Sequence, residues 1–327
     1  MNKVTKIFLA STLAFTLFGC SSKGAEDDTI KVAVIKQLDH ASLDEIATAI
    51  TDELDAIAEK EGVKIEYGEV YSGQNDQTTL QQIASQALGD GVDVMIPIAT
   101  LAAQVSVNEA QESGTPVVFA AISDPETAGL TGLKNVTGTS DALNTEQIID
   151  MMLTQNPDLK KVGLLYSKSE PNSEKPIAQA KEILDSKNIE YVEACGNTTD
   201  EIISATASLV SEKVEAVFTP TDNVVMAAEL AIADTFKENG IAHYAGADSF
   251  VRSGALTTCG VNYTDLGKKT ADLAYEAVTK GMDDMDDYVV MDGGIITVNT
   301  ETAQALNVDP SIYESFGTLV ETETTGE

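Results

Sequence analysis

The chain has 327 residues, with 53 Asp and Glu against 20 Lys and Arg, a formal net charge of −33 and a pI near 4.1. A nucleic-acid binder presents a basic face, so this acidity excludes one. Apolar residues at 43% exclude a disordered acidic tail and supply a core for two domains or one large α/β domain. There is no Trp, and the only His are His40 and His243 and the only Arg is Arg252. A His-rich metal site is therefore excluded, and any guanidinium clamp on a carboxylate falls to Arg252.

Lys3 and Lys6 precede an apolar run from Ile7 to Phe18 that is too short to span a bilayer as a permanent helix. Leu17-Phe18-Gly19-Cys20 resembles the bacterial lipobox, in which the Cys is lipidated and becomes the mature N-terminus; the alternative is an ordinary secretory signal. Residues 1–19 are thus expected to be a signal peptide, and residues 20–28 a lipidated Cys and a flexible linker. Acyl chains on Cys20 would tether the protein to the outside of the bacterial cell membrane. No other stretch approaches the length of a spanning helix. Cys195 and Cys259 are left to pair in an oxidising compartment or to stay as buried thiols, and their spacing leaves both open.

Next, short apolar runs alternate with amphipathic stretches. Strands are predicted at 30–35, 63–67, 93–98 and 116–121, with helices at 42–60, 77–88 and 101–112. The first helix shows Leu43, Ile46, Ala47, Ile50, Leu54 and Ile57 at helical spacing. Residues 123–144 lack a long apolar period, and then the alternation restarts. Helices are predicted at 145–154, 174–187, 200–211 and 223–238, with strands at 161–166, 189–193, 215–219 and 241–246. A helix at 264–280, a strand at 288–298, a short helix at 300–306 and a frayed acidic tail from about 315 complete the chain. Repeated βαβ units imply parallel sheets covered on both faces, here as two doubly wound lobes with a hinge near 139–142.

Ligands of open parallel sheets bind beyond the carboxyl ends of the strands. Those ends carry Gln37, Asp39 and His40; Thr100; Ser123 and Asp124; Ser167, Glu170, Asn172 and Ser173; Thr221, Asp222 and Asn223; and Asp248. Singly, Thr100, Ser173 and Asp222 read equally well as helix caps, and His40 as a loop residue. Their recurrence in both lobes predicts a polar cleft. Asp124, Glu170, Asp222 and Asp248 could balance an ammonium, and the helix starts after Thr100 and Asp222 suit a carboxylate. That combination favours an amino acid over a phosphate. No dinucleotide or Walker loop, no nucleophile elbow and no zinc spacing is present. Without Trp to stack on a ring, sugar is less favoured.

Several segments carry a family resemblance: VIKQLDHASLD (34–44), PIATLAAQ (97–104), PVVFAAISDPETAGL (116–130), NVTGTSD (135–141), VGLLYSKSEPNS (162–173), VFTPTDN (217–223) and SGALTTCGVNYTDLGKKTADLA (253–274). Together they resemble the substrate-binding lipoproteins of ABC importers of the tryptophan/tyrosine type, from about residue 30 to 310. Two positions depart from that pattern: Ala41 replaces the Pro of His-Pro-x-Leu-Asp, and Ser167 replaces an Asn. The resemblance implies a type I periplasmic-binding fold, with two doubly wound Rossmann-like lobes joined by three crossover strands. The first lobe would take 29–140 and 263–284, and the second 141–262 and 285–327. It implies hinge closure on an aromatic amino acid, an ABC permease and its ATPase as partners, a monomer, no cofactor, no metal and no catalysis. It adds Leu101, Ala102, Asp141 and Tyr166 to the candidate ligand-binding set. On this reading Asp222 and Asp248 hold the ammonium, Thr100 to Ala102 and Ser123 hold the carboxylate, and Tyr166 walls the side-chain pocket. The rivals are another cargo (a nucleoside, a sugar or a branched-chain amino acid), a sensory lipoprotein without transport, and an enzyme, which the absence of a nucleophile–base pair opposes.

Overall fold

The computed structural model describes residues 29–325. The expected signal peptide, Cys20 and the linker lie outside the described residues. Within them no helix is long and apolar enough to cross a membrane.

The first lobe is built from β1 (Thr29–Lys36), α1 (Ala41–Glu61), β2 (Lys64–Glu66), β3 (Tyr71–Ser72), α2 (Gln77–Gly89), β4 (Val94–Ile98), α3 (Thr100–Ala110), β5 (Val117–Phe119) and β6 (Val136–Ser140). The chain then crosses to the second lobe: α4 (Thr145–Gln155), β7 (Lys161–Tyr166), α5 (Pro171–Ser186), β8 (Glu190–Cys195), α6 (Thr199–Ser211), β9 (Ala216–Thr219), α7 (Asn223–Glu238), β10 (Ala242–Ala245), α8 (Asp248–Arg252) and β11 (Thr257–Gly260). It returns through α9 (Tyr263–Lys280), which packs on α1, and β12 (Val289–Val290), which pairs with β6. A third crossing leads to β13 (Ile295–Asn299), α10 (Thr300–Leu306), a 3-10 turn (Pro310–Tyr313) and β14 (Thr318–Thr322). The sheets run β12-β6-β5-β4-β1-β2, with β3 also beside β1, and β14-β13-β11-β10-β9-β7-β8. Every pairing is parallel except β11 with β13. Buried runs such as VMIPI in β4 are what strands covered on both faces require.

Three regions differ from the sequence expectation in ways that shape the lobes, and one open question is closed. β6 (VTGTS) is a buried strand with no apolar run: the Thr137 hydroxyl donates to Asp286 O at 2.8 Å, and the Thr139 and Thr270 hydroxyls bond at 2.8 Å. Gly138 is needed there, because a Cβ would lie 2.2 Å from Phe119 O. The strand expected at 288–298 is two strands, broken at Gly293-Gly294; β12 belongs to the first sheet, so the third crossing follows Met291 rather than residue 284. The tail does not fray, since β14 pairs with β13 and Thr325 N donates to Arg252 O at 2.9 Å. Cys195 and Cys259 are both free thiols, on β8 and β11, which β7, β9 and β10 separate; burial raises the pKa of Cys259.

One apolar cluster runs through both lobes, from Leu43, Ile46 and Tyr263 to Met226, Phe236 and Phe250, so the lobes are closed on each other. At the α1–α9 contact, a Cβ on Gly267 would sit 2.6 Å from Ala49 Cβ and 2.8 Å from Ile46 O. Ala normally stabilises a helix over Gly. Here overpacking reverses the sign: Gly267→Ala is expected to lose about 1–3 kcal/mol, read as an earlier midpoint in chemical denaturation.

Candidate ligand-binding site

The carboxyl ends of the two sheets face each other across a small enclosed cavity of about 20 Å³, room for a water or two. Eight residues expected from sequence line it: His40, Thr100 and Ser123 from the first lobe, and Asp141, Asn172, Thr221, Asp222 and Asn223 from the crossing and the second. Sequence reasoning missed the rest of the lining. Ser42, Leu43, Met226, Ala247, Phe250 and Tyr263 carry no polar strand-end signal, or follow strands too short to detect. Ala99 and Ala121 complete the lining, and their φ values of 75° and 58° lie in the left-handed region, which costs an Ala about 1–2 kcal/mol.

The carboxylates are held in place by neighbours. Asp141 accepts from Ser123 Oγ at 2.8 Å and from Tyr263 OH at 3.0 Å. Asp222 caps α7 through Val225 N at 3.0 Å and accepts from Ser167 N at 2.7 Å and Ser173 Oγ at 2.6 Å. Ser123 and Thr221 bond hydroxyl to hydroxyl across the lobes at 2.9 Å. Behind the wall, Glu170 accepts from Gln37 Nε2 at 2.7 Å and from Asn223 Nδ2 at 2.6 Å. Gln37 Oε1 in turn accepts from Leu101 N at 3.0 Å. Ala99, at the start of α3, has no side chain to cap it, so Gln37 serves one of the first N–H groups from outside the helix.

No Lys or Arg lines the cavity. Burial therefore raises the pKa of both Asp141 and Asp222, and burial plus the Asp222 charge pushes Glu170 up to about 8. Burial also lowers His40 to about 4, which keeps the imidazole neutral. Three enclosed polar atoms on lining residues have no partner: His40 Nδ1, Thr100 Oγ1 and Asn172 Oδ1. A larger hollow of about 750 Å³ lies outside, among Asp39, Asp44, Glu45, Leu230 and Arg252, and His40 and Met226 line both spaces. Among the described residues no group of three His, Cys, Asp or Glu could hold a metal ion.

The remaining candidates stand off the cavity. Leu101, Ala102, Glu170 and Ser173 sit behind its wall. Asp124 accepts from Thr127 and pairs with Lys175 of the other lobe at 3.1 Å. Tyr166 is not a pocket wall. Alternation along β7 puts Val162, Leu164 and Tyr166 in the second-lobe core with Ile177 and Ala180 of α5, while Leu165 faces the other cluster. The Tyr166 hydroxyl donates to Glu193 at 2.6 Å, and Phe250 and Tyr263 supply the aromatic wall instead. Asp248 is also off the lining: it is paired with Arg252, whose other arm reaches Glu45 of the first lobe at 2.6 Å.

Two closed lobes with an enclosed polar cleft define a solute-capturing protein. The chain belongs to the ABC transporter substrate-binding protein family, whose model matches residues 31–315. A relative from Clostridioides difficile (strain R20291), named tyrosine-binding protein, is 30% identical over 94% of this chain and 93% of its own. A crystal structure from Streptococcus pneumonia in complex with L-Trp is 27% identical, covers 88% of this chain and 100% of that one, and superposes with a TM-score of 0.78. The ligand-free, open structure of a Clostridium difficile substrate-binding protein is 29% identical over 90% of this chain and 100% of that one, with a TM-score of 0.65. At similar identity, the lower likeness to the open form accords with the closed lobes described above.

The Glu170 shift sets a pH dependence. A carboxyl whose pKa is raised in the folded protein keeps a proton that the unfolded chain has released, so stability falls as pH rises toward the folded pKa. His40 works in the opposite sense only below its ordinary value of about 6.5. From about pH 6.5 to 8 the wild type is expected to lose about 1–2 kcal/mol, and Glu170→Gln to flatten that decline, as followed by thermal melts across the range.

Proposed function

We propose that this protein is the capture subunit of an ABC importer, tethered outside the cell membrane by lipid on Cys20, and that its cargo is an α-amino acid with an aromatic side chain. The observation that carries this is the pair of buried carboxylates, Asp141 and Asp222, in a cavity without a basic side chain. A buried charge needs a partner, and the cargo's ammonium is that partner. The start of α3, where Ala99 offers no cap and Gln37 takes the Leu101 N–H, and the Thr100 hydroxyl, with Ser123, suit the carboxylate. Phe250, Met226 and Leu43 offer the apolar surface for the side chain. A ring needs more room than the closed cavity has, and rotation of His40 and Met226 toward the outer hollow would provide it. The tyrosine-binding relative and the Trp-bound structure support the aromatic class.

Capture is a hinge cycle without catalysis. The crossings after Ser140, Gly260 and Met291 let the lobes part, the cargo enters, and closure buries it. The closed form then docks on a permease, and ATP hydrolysis by a separate subunit drives import. The ligand-binding set on this reading is His40, Thr100, Ser123, Asp141, Asn172, Thr221, Asp222 and Asn223.

A thermal-shift screen of the protein from residue 21 onward against the twenty amino acids, nucleosides and sugars tests the cargo. A rise in melting temperature with Trp, Tyr or Phe is expected; a rise confined to nucleosides or sugars would contradict it. Asp141→Asn should weaken amino-acid binding about 30-fold or more by calorimetry, corresponding to the ~2 kcal/mol or more lost when a buried charge loses its partner. Arg252→Gln removes both the bridge between lobes to Glu45 and the partner of Asp248, so it should weaken cargo binding by a few-fold factor, read by the same calorimetry.

A further inference from the structure

The cavity has more hydrogen-bond acceptors than an ammonium can serve. An ammonium offers three N–H groups. Asp141 and Asp222 both line the cavity, and Asn172 Oδ1 beside them is unpartnered because its Nδ2 donates to Thr221 O at 2.7 Å. Those three account for the ammonium. Thr100 Oγ1 is a hydroxyl and can donate to the carboxylate. One acceptor is left over, on His40.

A chain of bonds fixes which His40 nitrogen that is. With Glu170 ionised, as a bound ammonium favours, both its oxygens accept, one from Gln37 and one from Asn223 Nδ2 at 2.6 Å. That orients the Asn223 amide, so its Oδ1 faces His40 Nε2 at 3.0 Å and must accept from it. Nε2 therefore carries the hydrogen, and Nδ1 is a bare acceptor, enclosed and without a partner. Burial keeps the ring neutral, so Nδ1 stays an acceptor wherever Glu170 is ionised. His40 and Met226 line both the cavity and the outer hollow into which, on the reading above, the side-chain ring extends.

We propose that His40 Nδ1 accepts a hydrogen bond from an N–H or O–H on the ring of the cargo, so that the protein selects aromatic amino acids bearing a ring donor over those without one. This rests on the amino-acid reading above and narrows its cargo class. A site built to bond a ring donor leaves an enclosed acceptor unpaired when the donor is missing, and that is where discrimination arises.

The test is calorimetry on two matched pairs: L-Trp with 3-benzothienyl-L-alanine, in which sulfur replaces the indole N–H, and L-Tyr with L-Phe. Wild type should bind the donor-bearing member of its preferred pair at least about 10-fold more tightly, and His40→Phe should bring the two within about 3-fold of each other. Equal binding of both members by wild type overturns the inference while leaving the amino-acid reading intact. So does a His40→Phe protein in which both members weaken alike and the gap persists, because His40 would then serve the ammonium or the shape of the site. Failure of wild type to bind any of the four overturns the amino-acid reading and this inference with it. Should His40→Phe not fold, the spectrum of wild type labelled with ¹⁵N-histidine decides. Cargo should move the unprotonated Nδ1 resonance of His40 and leave the Nε2–H tautomer in place; an unmoved Nδ1 overturns the proposal.

Discussion

Two carboxylates, Asp141 and Asp222, are buried at the meeting of the lobes in a cavity with no basic side chain. Taking a carboxylate out of water costs several kcal/mol unless hydrogen bonds and an opposite charge offset it. The protein supplies the hydrogen bonds: Ser123 and Tyr263 to Asp141, and Ser167, Ser173 and Val225 to Asp222. It supplies no cation. Nearly every other feature of the cleft follows from that arrangement. The shared network of Glu170, Gln37 and Asn223 braces the same wall, and burial raises the pKa values of Asp141, Asp222 and Glu170, the last also through the Asp222 charge.

Closure is held by modest contacts spread around the rim. Arg252 reaches Glu45, Lys175 reaches Asp124, and Ser42 meets Ser249. The two ion pairs are only partly shielded from solvent and contribute on the order of 1 kcal/mol each. The buried carboxylates oppose closure and the apolar contact of Leu43 with Met226 and Phe250 favours it. Such a balance places open and closed forms within reach of each other, and a ligand that neutralises the cleft only in the closed form shifts the population toward it.

The alternation of strands and helices was legible because it depends on local apolar periodicity, and the boundaries of α7 and β7 coincide with those expected. The polar half of the site was legible for a related reason. A Ser, Thr, Asp or Asn placed directly after an apolar run marks a strand end, as at Ser123, Thr221 and Asp222. β6 was hidden because its burial is satisfied by Thr hydroxyls rather than by apolar side chains. Phe250 and Tyr263 look like core residues in sequence, and only the meeting of the two lobes makes them a wall. Ala99 and Ala121 contribute strained backbone, which leaves no mark on side-chain chemistry. Tyr166 failed because alternation along β7 turns it toward α5, and Asp248 because the lone Arg lies one helical turn away from it.

The most direct test of the central claim removes the cargo's positive charge and nothing else. Calorimetry would compare L-Trp and L-Tyr with indole-3-propionate and 3-(4-hydroxyphenyl)propionate, which keep ring and carboxylate and lack the amine. Loss of the ammonium is expected to weaken binding by about 100-fold or more, because two buried carboxylates are then left facing no cation. Equal affinity for the amino acid and its deaminated analogue would contradict it.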